Sequence, residues 1–244
     1  MSDNPERPKA AEGTAPAPPP QLVLDLPHRA ALGAADFLVG PANRAAVAMI
    51  DQWPDWPAQS LLLVGPAGSG KSHLVNVWRE RSGGVTVPAH ALAEAAVEPL
   101  SRERAIAIED IDRLADNEGS RQAAERVAFH LLNLAREQRT SVLVTSRVAP
   151  GDIDSALPDL RSRLRALPFV EVAAPDDALI SGLLVKLFDD RQLKIEPAVV
   201  TYLVRHMERT MAAAHRIVAD LDARALATKR RVTRTLAAEV LGET

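Results

Sequence analysis

The stretch from Gly65 to Ser72 reads GPAGSGKS and fits the pattern G-x-x-x-x-G-K-[ST] at each fixed position. The apolar run LLLVG at 61–65 leads into it and predicts a buried strand, while a helical pattern follows from about Lys71 to Arg81. Glycines allow a backbone to wrap phosphates with its N–H groups pointing inward, and the start of a helix adds partial positive charge. The stretch therefore predicts a phosphate-binding loop; a chance glycine-rich turn is the weaker alternative.

The residues of this loop have separate expected roles in nucleotide binding. Lys71 would neutralise the β- and γ-phosphates, and the hydroxyl of Ser72 would hold Mg²⁺. ADP or ATP with Mg²⁺ is therefore the predicted cofactor. The residues expected to contact it in this stretch are Gly65, Pro66, Ala67, Gly68, Ser69, Gly70, Lys71, Ser72 and His73.

An acidic pair, Glu109 and Asp110, follows the apolar run AIAI at 105–108. Glu109 is long enough to reach a metal-bound water, so it joins Ser72 as a predicted Mg²⁺ site. Asp110 is one methylene short for orienting an attacking water, and a misplacement of about 1 Å can cost ~10²-fold in rate. The pair predicts firm nucleotide binding with weak or no hydrolysis. The alternative is that these carboxylates only cap a strand end on the surface.

Further polar residues fit a nucleotide switch. Thr145 and Ser146 end the run SVLVTS, where a polar group could sense a γ-phosphate. Arg161 and Arg163 lie in LPDLRSRL on a short predicted helix. An arginine delivered to a neighbour's γ-phosphate is worth roughly 10³–10⁵ in rate, although exposed arginines are also common without such a role. Two more arginines, Arg209 and Arg216, lie in the last third of the chain, either folded over the nucleotide or in surface salt bridges.

Strand and helix patterns alternate as far as Pro175. Together they predict an α/β fold with a five-stranded, mostly parallel sheet over 36–175. The remaining strand candidates are VTVP, AIAIEDID and FVEVAAP at 169–175. Helices are predicted over GPANRAAVAMIDQW with Pro41 in its first turn, over HALAEAA, and over SRQAAERVAFHLLNLAREQ with Ser120 as N-cap. Only helices follow, at about 176–190, 197–206, 211–228 and 233–242, so a small all-helical domain is expected over 176–244.

The first 27 residues have a different character. Residues 1–20 are rich in Pro, Ala and charge, which predicts a disordered tail. The next segment, QLVLDLP at 21–27, places Leu22, Leu24 and Leu26 on one side of an extended chain. Because it follows prolines and ends at Pro27, we favour a peptide that fills a partner's groove over an edge strand.

Composition limits the function further. The chain has 244 residues, is 47% hydrophobic and 25% charged, carries a formal net charge of -3 and contains no Cys. These values predict a soluble cytoplasmic protein without disulfides or zinc modules, and no apolar run is long enough for a membrane span. No global basic field is available for DNA. The basic cluster KRRVTR at 229–234 is more typical of a solvated helix end than of a DNA contact.

The order of these motifs resembles that of AAA+ proteins, and within them the DnaA family. The segments DFLVGPANRAAVAMI, GPAGSGKSHL, VLVTSRVAP and LPDLRSRL carry the resemblance, which covers about 36–243. We expect neither the initiator's assembly domain nor its DNA-binding domain here, because the matching segments fill nearly all of the sequence after the first 35 residues. The resemblance therefore favours the Hda family of DnaA-related regulatory inactivators. That family's clamp-docking pattern Q-L-x-L-x-[LF] is matched by Gln21, Leu22, Leu24 and Leu26.

The resemblance implies a negative regulator of replication initiation. Such a protein binds the sliding clamp (the β subunit of DNA polymerase III) and stimulates ATP hydrolysis by DnaA. The resemblance also implies that Arg163 is an arginine finger acting in trans and that the backbone around Leu38 and Val39 cups adenine. The superfamily's lid-sensor arginine would fall at Ala212, so either Arg216 or Arg209 substitutes for it or the lid does not sense the γ-phosphate. DNA is then contacted only through the clamp, no membrane is involved, and self-association stays open.

Two other functions remain as alternatives at this stage. A self-sufficient AAA+ ATPase, such as a helicase loader, would leave the Q-L-x-L-x-L peptide unexplained. A clamp-loader subunit would need a zinc module, which a chain without Cys does not have.

Overall fold

The five strands of the computed structural model form one sheet with the order β2-β3-β4-β1-β5. The model describes residues 38–95, 97–114 and 118–242. All strand pairs are parallel, so the predicted α/β fold with a mostly parallel sheet is confirmed. The strands are β1 (Ser60–Val64), β2 (Val85–Pro88), β3 (Ala105–Glu109), β4 (Ser141–Ser146) and β5 (Phe169–Glu171).

Helices cover both faces of this sheet, which explains why β1 and β4 are buried along their whole length. Alternate residues of β1 point to opposite faces. Leu61 and Leu63 pack with α1 (Arg44–Asp51) and α2 (Lys71–Ser82). On the other face, Leu62 and Val64 pack with α4 (Glu118–Glu137) and α5 (Pro158–Arg165). The sheet is thus a rigid platform whose strand ends are held in place from both sides.

The carboxyl ends of β1, β3 and β4 meet at one edge of the sheet. The phosphate-binding loop follows β1, Asp110 follows β3 and Arg147 follows β4. In open α/β sheets this edge is where ligands bind. The topology therefore gathers the loop and the acidic pair, which are far apart in sequence, at a single location.

Four helices after Pro175 form a second core. They are α6 (Asp177–Asp190), α7 (Pro197–His206), α8 (Met211–Thr228) and α9 (Arg234–Leu241). Phe188, Leu203 and Leu221 are buried at its centre. The side chains of Asp176, Thr210 and Thr233 cap α6, α8 and α9. These helices lie within about one residue of the predicted ranges, because caps and apolar periodicity agree at each end.

Several predicted boundaries were wrong. The first helix begins at Arg44 rather than at Pro41, because Asn43 accepts a hydrogen bond from the Gly40 N–H and donates one to the Leu38 carbonyl, each at 2.9 Å, which closes a turn. Ser120 does not cap α4, which already includes Glu118. In place of the helix predicted over HALAEAA, the described residues form a 3₁₀ turn at Ala89–Ala91 and then irregular turns as far as residue 95, and the short helix α3 (Val97–Leu100) was not predicted.

The predicted tail at 1–20 and the peptide at 21–27 lie outside the described residues. Within the parts of the chain that are described, no helix is long and apolar enough to cross a membrane.

Candidate nucleotide site

The phosphate-binding loop is built by glycine geometry. Gly68 and Gly70 take the left-handed backbone conformation, with φ of 74° and 100°. Gly65 needs to be glycine for a different reason: a Cβ there would lie 2.1 Å from the Val172 carbonyl oxygen of the chain leaving β5. The loop can therefore curl against the sheet and lead directly into the N-terminus of α2.

Lys71, the first residue of α2, projects back into this loop. Its Nζ donates to the carbonyl oxygens of Gly65 at 2.7 Å and Pro66 at 2.9 Å. Burial lowers the pKa of Lys71, and nearby carboxylates, Asp110 foremost, oppose that shift. The Ser69 hydroxyl is also buried and has no hydrogen-bond partner among the described residues. A buried cation beside an unpaired hydroxyl in a glycine cradle fits an anionic group such as phosphate.

The acidic edge lies next to Ser72. Glu109 ends β3, and its Oε1 is buried without a hydrogen-bond partner in the described part of the chain. Ser72, Glu109, Asp110 and Asp112 line one cavity. Hydroxyl and carboxylate oxygens are the ligands that Mg²⁺ prefers. Across the described ranges, no group of three or more His, Cys, Asp or Glu residues could hold a metal alone. The residues thus fit a cation that shares its coordination with phosphate oxygens.

The hydroxyls of Thr145 and Ser146 both take part in hydrogen bonds within the protein. Thr145 Oγ1 accepts a hydrogen bond from the Asp110 N–H at 2.9 Å. Ser146 Oγ donates to the Val148 carbonyl at 2.8 Å and accepts from the Val148 N–H at 3.1 Å. Both side chains are buried. Thr145 therefore ties the end of β4 to the turn after β3, and Ser146 shapes its own loop.

Arg147, which the sequence analysis missed, lines the cavity beside the loop. Its guanidinium lies 3.4 Å from Asp110 Oδ2, and its main-chain N–H donates to Asp112 Oδ1 at 3.0 Å. The same cavity is lined by Gly68, Lys71 and Ser72. The available signal was its position, since it directly follows a buried strand that neighbours β1 in the sheet.

A second, mostly apolar cavity of about 140 Å³ lies between the first described residues and the helical domain. Leu38 lines it, as expected for a base-binding residue, whereas Val39 packs into the core against α1 and α2. The residues that line it with Leu38 are Asn43, Ser69, Gly70, His73, Leu183, Lys186, Leu187, Asp190, Met211 and His215. Its size and apolar walls suit part of a planar base.

The helical domain reaches the phosphate cavity through the start of α8. The Met211 N–H donates to the Gly68 carbonyl at 3.3 Å, and Ala212 and His215 line the cavity. Burial lowers the pKa of His215, and Arg191 adds to the effect.

Neither arginine suggested as a lid sensor lines a described cavity at this site. Arg216 is 65% exposed and lies 4.0 Å from Glu208, and Arg209 pairs with Asp177 at 3.2 Å. In this arrangement both arginines act as surface ion-pair partners.

Helix α5 carries Arg161, which is exposed, and Arg163, which is half-buried, and neither lines the cavities described above. Within the described ranges, neither guanidinium has a hydrogen bond or an ion pair. The helix is fixed by Glu125 of α4, a buried carboxylate that accepts hydrogen bonds from the N–H groups of Ala156 at 2.8 Å and Leu157 at 3.1 Å. Glu125 carried no sequence signal, because its role depends on a residue 32 positions away.

A five-stranded parallel sheet, a phosphate-binding loop after β1 and a helical lid above that loop define an AAA+ P-loop NTPase fold. Residues 181–241 match the family model described as the Hda lid domain. Over these residues the chain is similar to the lid of that family, and the described chain as a whole has the AAA+ P-loop NTPase fold.

Solved structures agree with this fold. A DNA replication initiation factor matches with a TM-score of 0.66 and 18% identity over 80% of this chain and 66% of its own. Domain III of Thermotoga maritima DnaA matches with 0.71 and 15% identity over 85% of this chain and 94% of its own. AMPPCP-bound DnaA from Aquifex aeolicus matches with 0.63 and 18% identity over 75% of this chain and 62% of its own. The chain thus spans 66% of the length of the replication initiation factor chain and 62% of that of the Aquifex aeolicus DnaA chain.

Proposed function

We propose that this protein is a negative regulator of DNA replication initiation that stimulates ATP hydrolysis by DnaA while bound to the sliding clamp. The observation that carries the proposal is the match of residues 181–241 to the Hda lid. The fold of the described chain, which is similar to that of DnaA, supports it. The regulator would act on the nucleotide of its partner rather than turn over its own.

A bound nucleotide is the first part of this proposal. A DnaA of the same fold is known with AMPPCP bound. In this chain, Lys71 and the loop N–H groups would bind the phosphates, Ser72 and Glu109 would hold Mg²⁺, and Leu38 would contact the base. The metal would neutralise phosphate charge. The pairing of Asp110 with Arg147 leaves that carboxylate poorly placed as a base, which favours slow intrinsic hydrolysis.

Arg163 is the group proposed to act on the partner. Its guanidinium is unpaired in the described chain, and its helix is held at the N-terminus by the buried Glu125. An arginine held in this way can approach a γ-phosphate across an interface without leaving a partner of its own. Stabilising the charge of that phosphate in the transition state is the proposed mechanism.

Arg163→Ala tests this mechanism directly. We expect stimulation of DnaA ATP hydrolysis to fall by at least about 10³-fold, as for other arginine fingers, with the affinity of the variant for its own nucleotide unchanged. Arg161→Ala is the matched control, since it removes the same charge from the same helix. Full stimulation by the Arg163→Ala protein would eliminate the finger assignment. Strong hydrolysis by the wild-type chain alone would instead favour a self-sufficient ATPase.

Clamp binding is proposed from the sequence at 21–26, which lies outside the described residues. We expect Gln21→Ala/Leu24→Ala to abolish capture by the immobilised clamp, because the Gln side chain and an anchoring Leu are both lost. Mutation of Asp25, which occupies a variable position of the pattern, to Ala is the control. Equal capture of the wild type and the double variant would contradict clamp binding through residues 21–26. The action on DnaA would still be tested by the Arg163→Ala variant.

A further inference from the structure

The loop between α8 and α9 holds a basic cluster on a fixed backbone. Lys229 caps the C-terminus of α8 in the left-handed conformation, with φ of 50°, and the Arg230 N–H donates to the Ala225 carbonyl at 3.1 Å. Val232 is buried in the core of the lid, and Thr233 caps α9. Lys229, Arg230 and Arg231 are exposed. The side chains are therefore presented on an ordered loop rather than on a frayed helix end.

The fold adds residues from α7 to this cluster. The guanidinium of Arg234 lies 4.9 Å from the centre of the Tyr202 ring, and that ring stacks on His206 at 4.2 Å. Arg205 is exposed and three residues from Tyr202, so it shares that side of α7. The sequence alone gave no aromatic residue inside KRRVTR, and the structure brings two rings to it from another helix.

The charge of this surface is strongly biased. Its cations are Arg205, Lys229, Arg230, Arg231 and Arg234. Over the described residues, the ion pair recorded for these five is that of Arg230 with Glu239, at 3.6 Å. The chain as a whole carries a net charge of -3, so composition does not explain the concentration of positive charge here.

We infer that this surface, which we call the lid basic surface, binds the phosphate backbone of duplex DNA. Four of its five cations are arginines, whose planar guanidinium groups suit phosphate oxygens. Tyr202 is covered by Arg234 and His206, so its ring is not available to stack on an unpaired base, and this favours a duplex over a single strand. The inference rests on the proposed function to the extent that a protein docked on the clamp works beside the duplex.

Binding of this kind is independent of sequence and sensitive to salt. Each phosphate neutralised contributes a slope of about -0.9 to the dependence of log affinity on log salt concentration. A surface of this size would neutralise a few phosphates. The surface would thus add a weak contact that becomes effective once the clamp has brought the protein to DNA.

The test measures anisotropy of a short labelled duplex of mixed sequence with the full chain, in the absence of clamp and DnaA. The variant is Lys229→Glu/Arg231→Glu, and the control is Arg126→Glu/Arg136→Glu, which makes the same change of net charge at exposed positions of α4. We expect the lid variant to lose about tenfold in affinity or more and its salt slope to fall by about 2, with the control within about twofold of wild type. Thermal melting and ADP affinity establish that both variants are folded.

Two results would overturn the inference. One is an equal loss in the two variants, which would mean that net charge alone governs binding. The other is unchanged DNA binding by the lid variant; reduced stimulation by that variant in a separate assay with DnaA would then assign the surface to an acidic protein partner. Because the anisotropy assay contains neither clamp nor DnaA, a negative result in it does not bear on the proposed regulatory function. The Arg163→Ala experiment tests that function separately.

Discussion

Arg147 and Asp110 face each other across the carboxyl ends of β4 and β3, and they place an ion pair beside the phosphate-binding loop. The guanidinium is 38% exposed, and its contact with Asp110 is long at 3.4 Å, so most of its donors are available to a ligand. The lid contributes Ala212 rather than a cation to the same cavity. Among the residues that line this cavity, Arg147 supplies the guanidinium, and we expect it to recognise the terminal phosphate of the proposed nucleotide.

We predict that Arg147→Ala weakens binding of a non-hydrolysable ATP analogue by about tenfold or more and that of ADP by less than about threefold. The reason is that hydrogen bonds to charged groups contribute about 1.5–3 kcal/mol and this one requires the third phosphate. Competition against a fluorescent nucleotide measures both affinities. Arg126→Ala on α4 is the control for loss of a positive charge. Equal losses for the two nucleotides would show that Arg147 does not distinguish them.

At this scale the sequence predicted the residues whose roles are local. Lys71 and Ser72 could be placed because the loop and the helix that follows it form a contiguous motif. The placing of Thr145 and Ser146 as γ-phosphate sensors stays a prediction; in the structure the Thr145 hydroxyl accepts from the Asp110 N–H and the Ser146 hydroxyl donates to the Val148 carbonyl. Which residue at a strand end faces a cavity depends on the turns of neighbouring strands, and a single sequence does not specify those.

Helix α5 shows how one element depends on another. Its N-terminal N–H groups cannot bond within the helix, and Glu125 of α4 accepts hydrogen bonds from the residues that enter it. Arg121 of α4 lies 3.7 Å from Glu125 and pairs with Asp154 at 2.7 Å, so α4 also holds the chain ahead of α5. The position of Arg163 is set by these contacts.

We predict that Glu125→Gln lowers the free energy of unfolding by about 1.5–3 kcal/mol, because an amide N–H₂ would face a backbone donor that the carboxylate now satisfies. Stimulation of DnaA hydrolysis should fall with it, whereas affinity for the chain's own nucleotide should stay within about twofold. Urea unfolding and the stimulation assay are the measurements. Glu137→Gln, at an exposed position of the same helix, should change stability by less than about 0.5 kcal/mol. Normal stimulation by a destabilised Glu125→Gln protein would separate Glu125 from the positioning of Arg163.

The ends of a helix could be predicted where a capping residue and an apolar periodic run agreed. The prediction failed where tertiary packing determines where the helix begins. The observed ranges of the lid helices agree with the predicted ones. At α6, α8 and α9 this is because the side chains of Asp176, Thr210 and Thr233 cap the helix ahead of an apolar periodic run. In α4, by contrast, Ser120 resembled a cap but lies inside the helix.

At the scale of the whole molecule, the lid and the α/β domain meet at the phosphate-binding loop itself. Met211 donates to the Gly68 carbonyl, and Thr210 packs on the Gly68 Cα so closely that a Cβ there would lie 2.4 Å from Thr210 Cγ2. The order of the domains was visible in the sequence. The contact of Gly68 with Thr210 could not be predicted from the sequence. These residues are 142 positions apart, and the packing of two separate cores brings them together.

We predict that Gly68→Ala destabilises the nucleotide-free protein by more than its backbone conformation accounts for. The left-handed conformation alone costs an alanine roughly 1–2 kcal/mol. Gly83→Ala measures that cost separately, since Gly83 has φ of 67° and nothing within 4 Å of its Cβ position. The excess loss in Gly68→Ala, measured by urea unfolding, is the contribution of contact between lid and loop.

Thr210→Gly provides the complementary variant. As an N-cap, glycine is less stabilising than threonine by only about 0.3 kcal/mol. The substitution also removes the Thr210 side chain, which a Cβ at position 68 would strike. The double variant Gly68→Ala/Thr210→Gly should therefore recover the excess loss and become about as stable as Gly83→Ala, a non-additivity expected only of residues in contact. Strict additivity of the two changes would mean that the lid does not rest on the loop in solution. The nucleotide would then have to draw the two domains together when it binds.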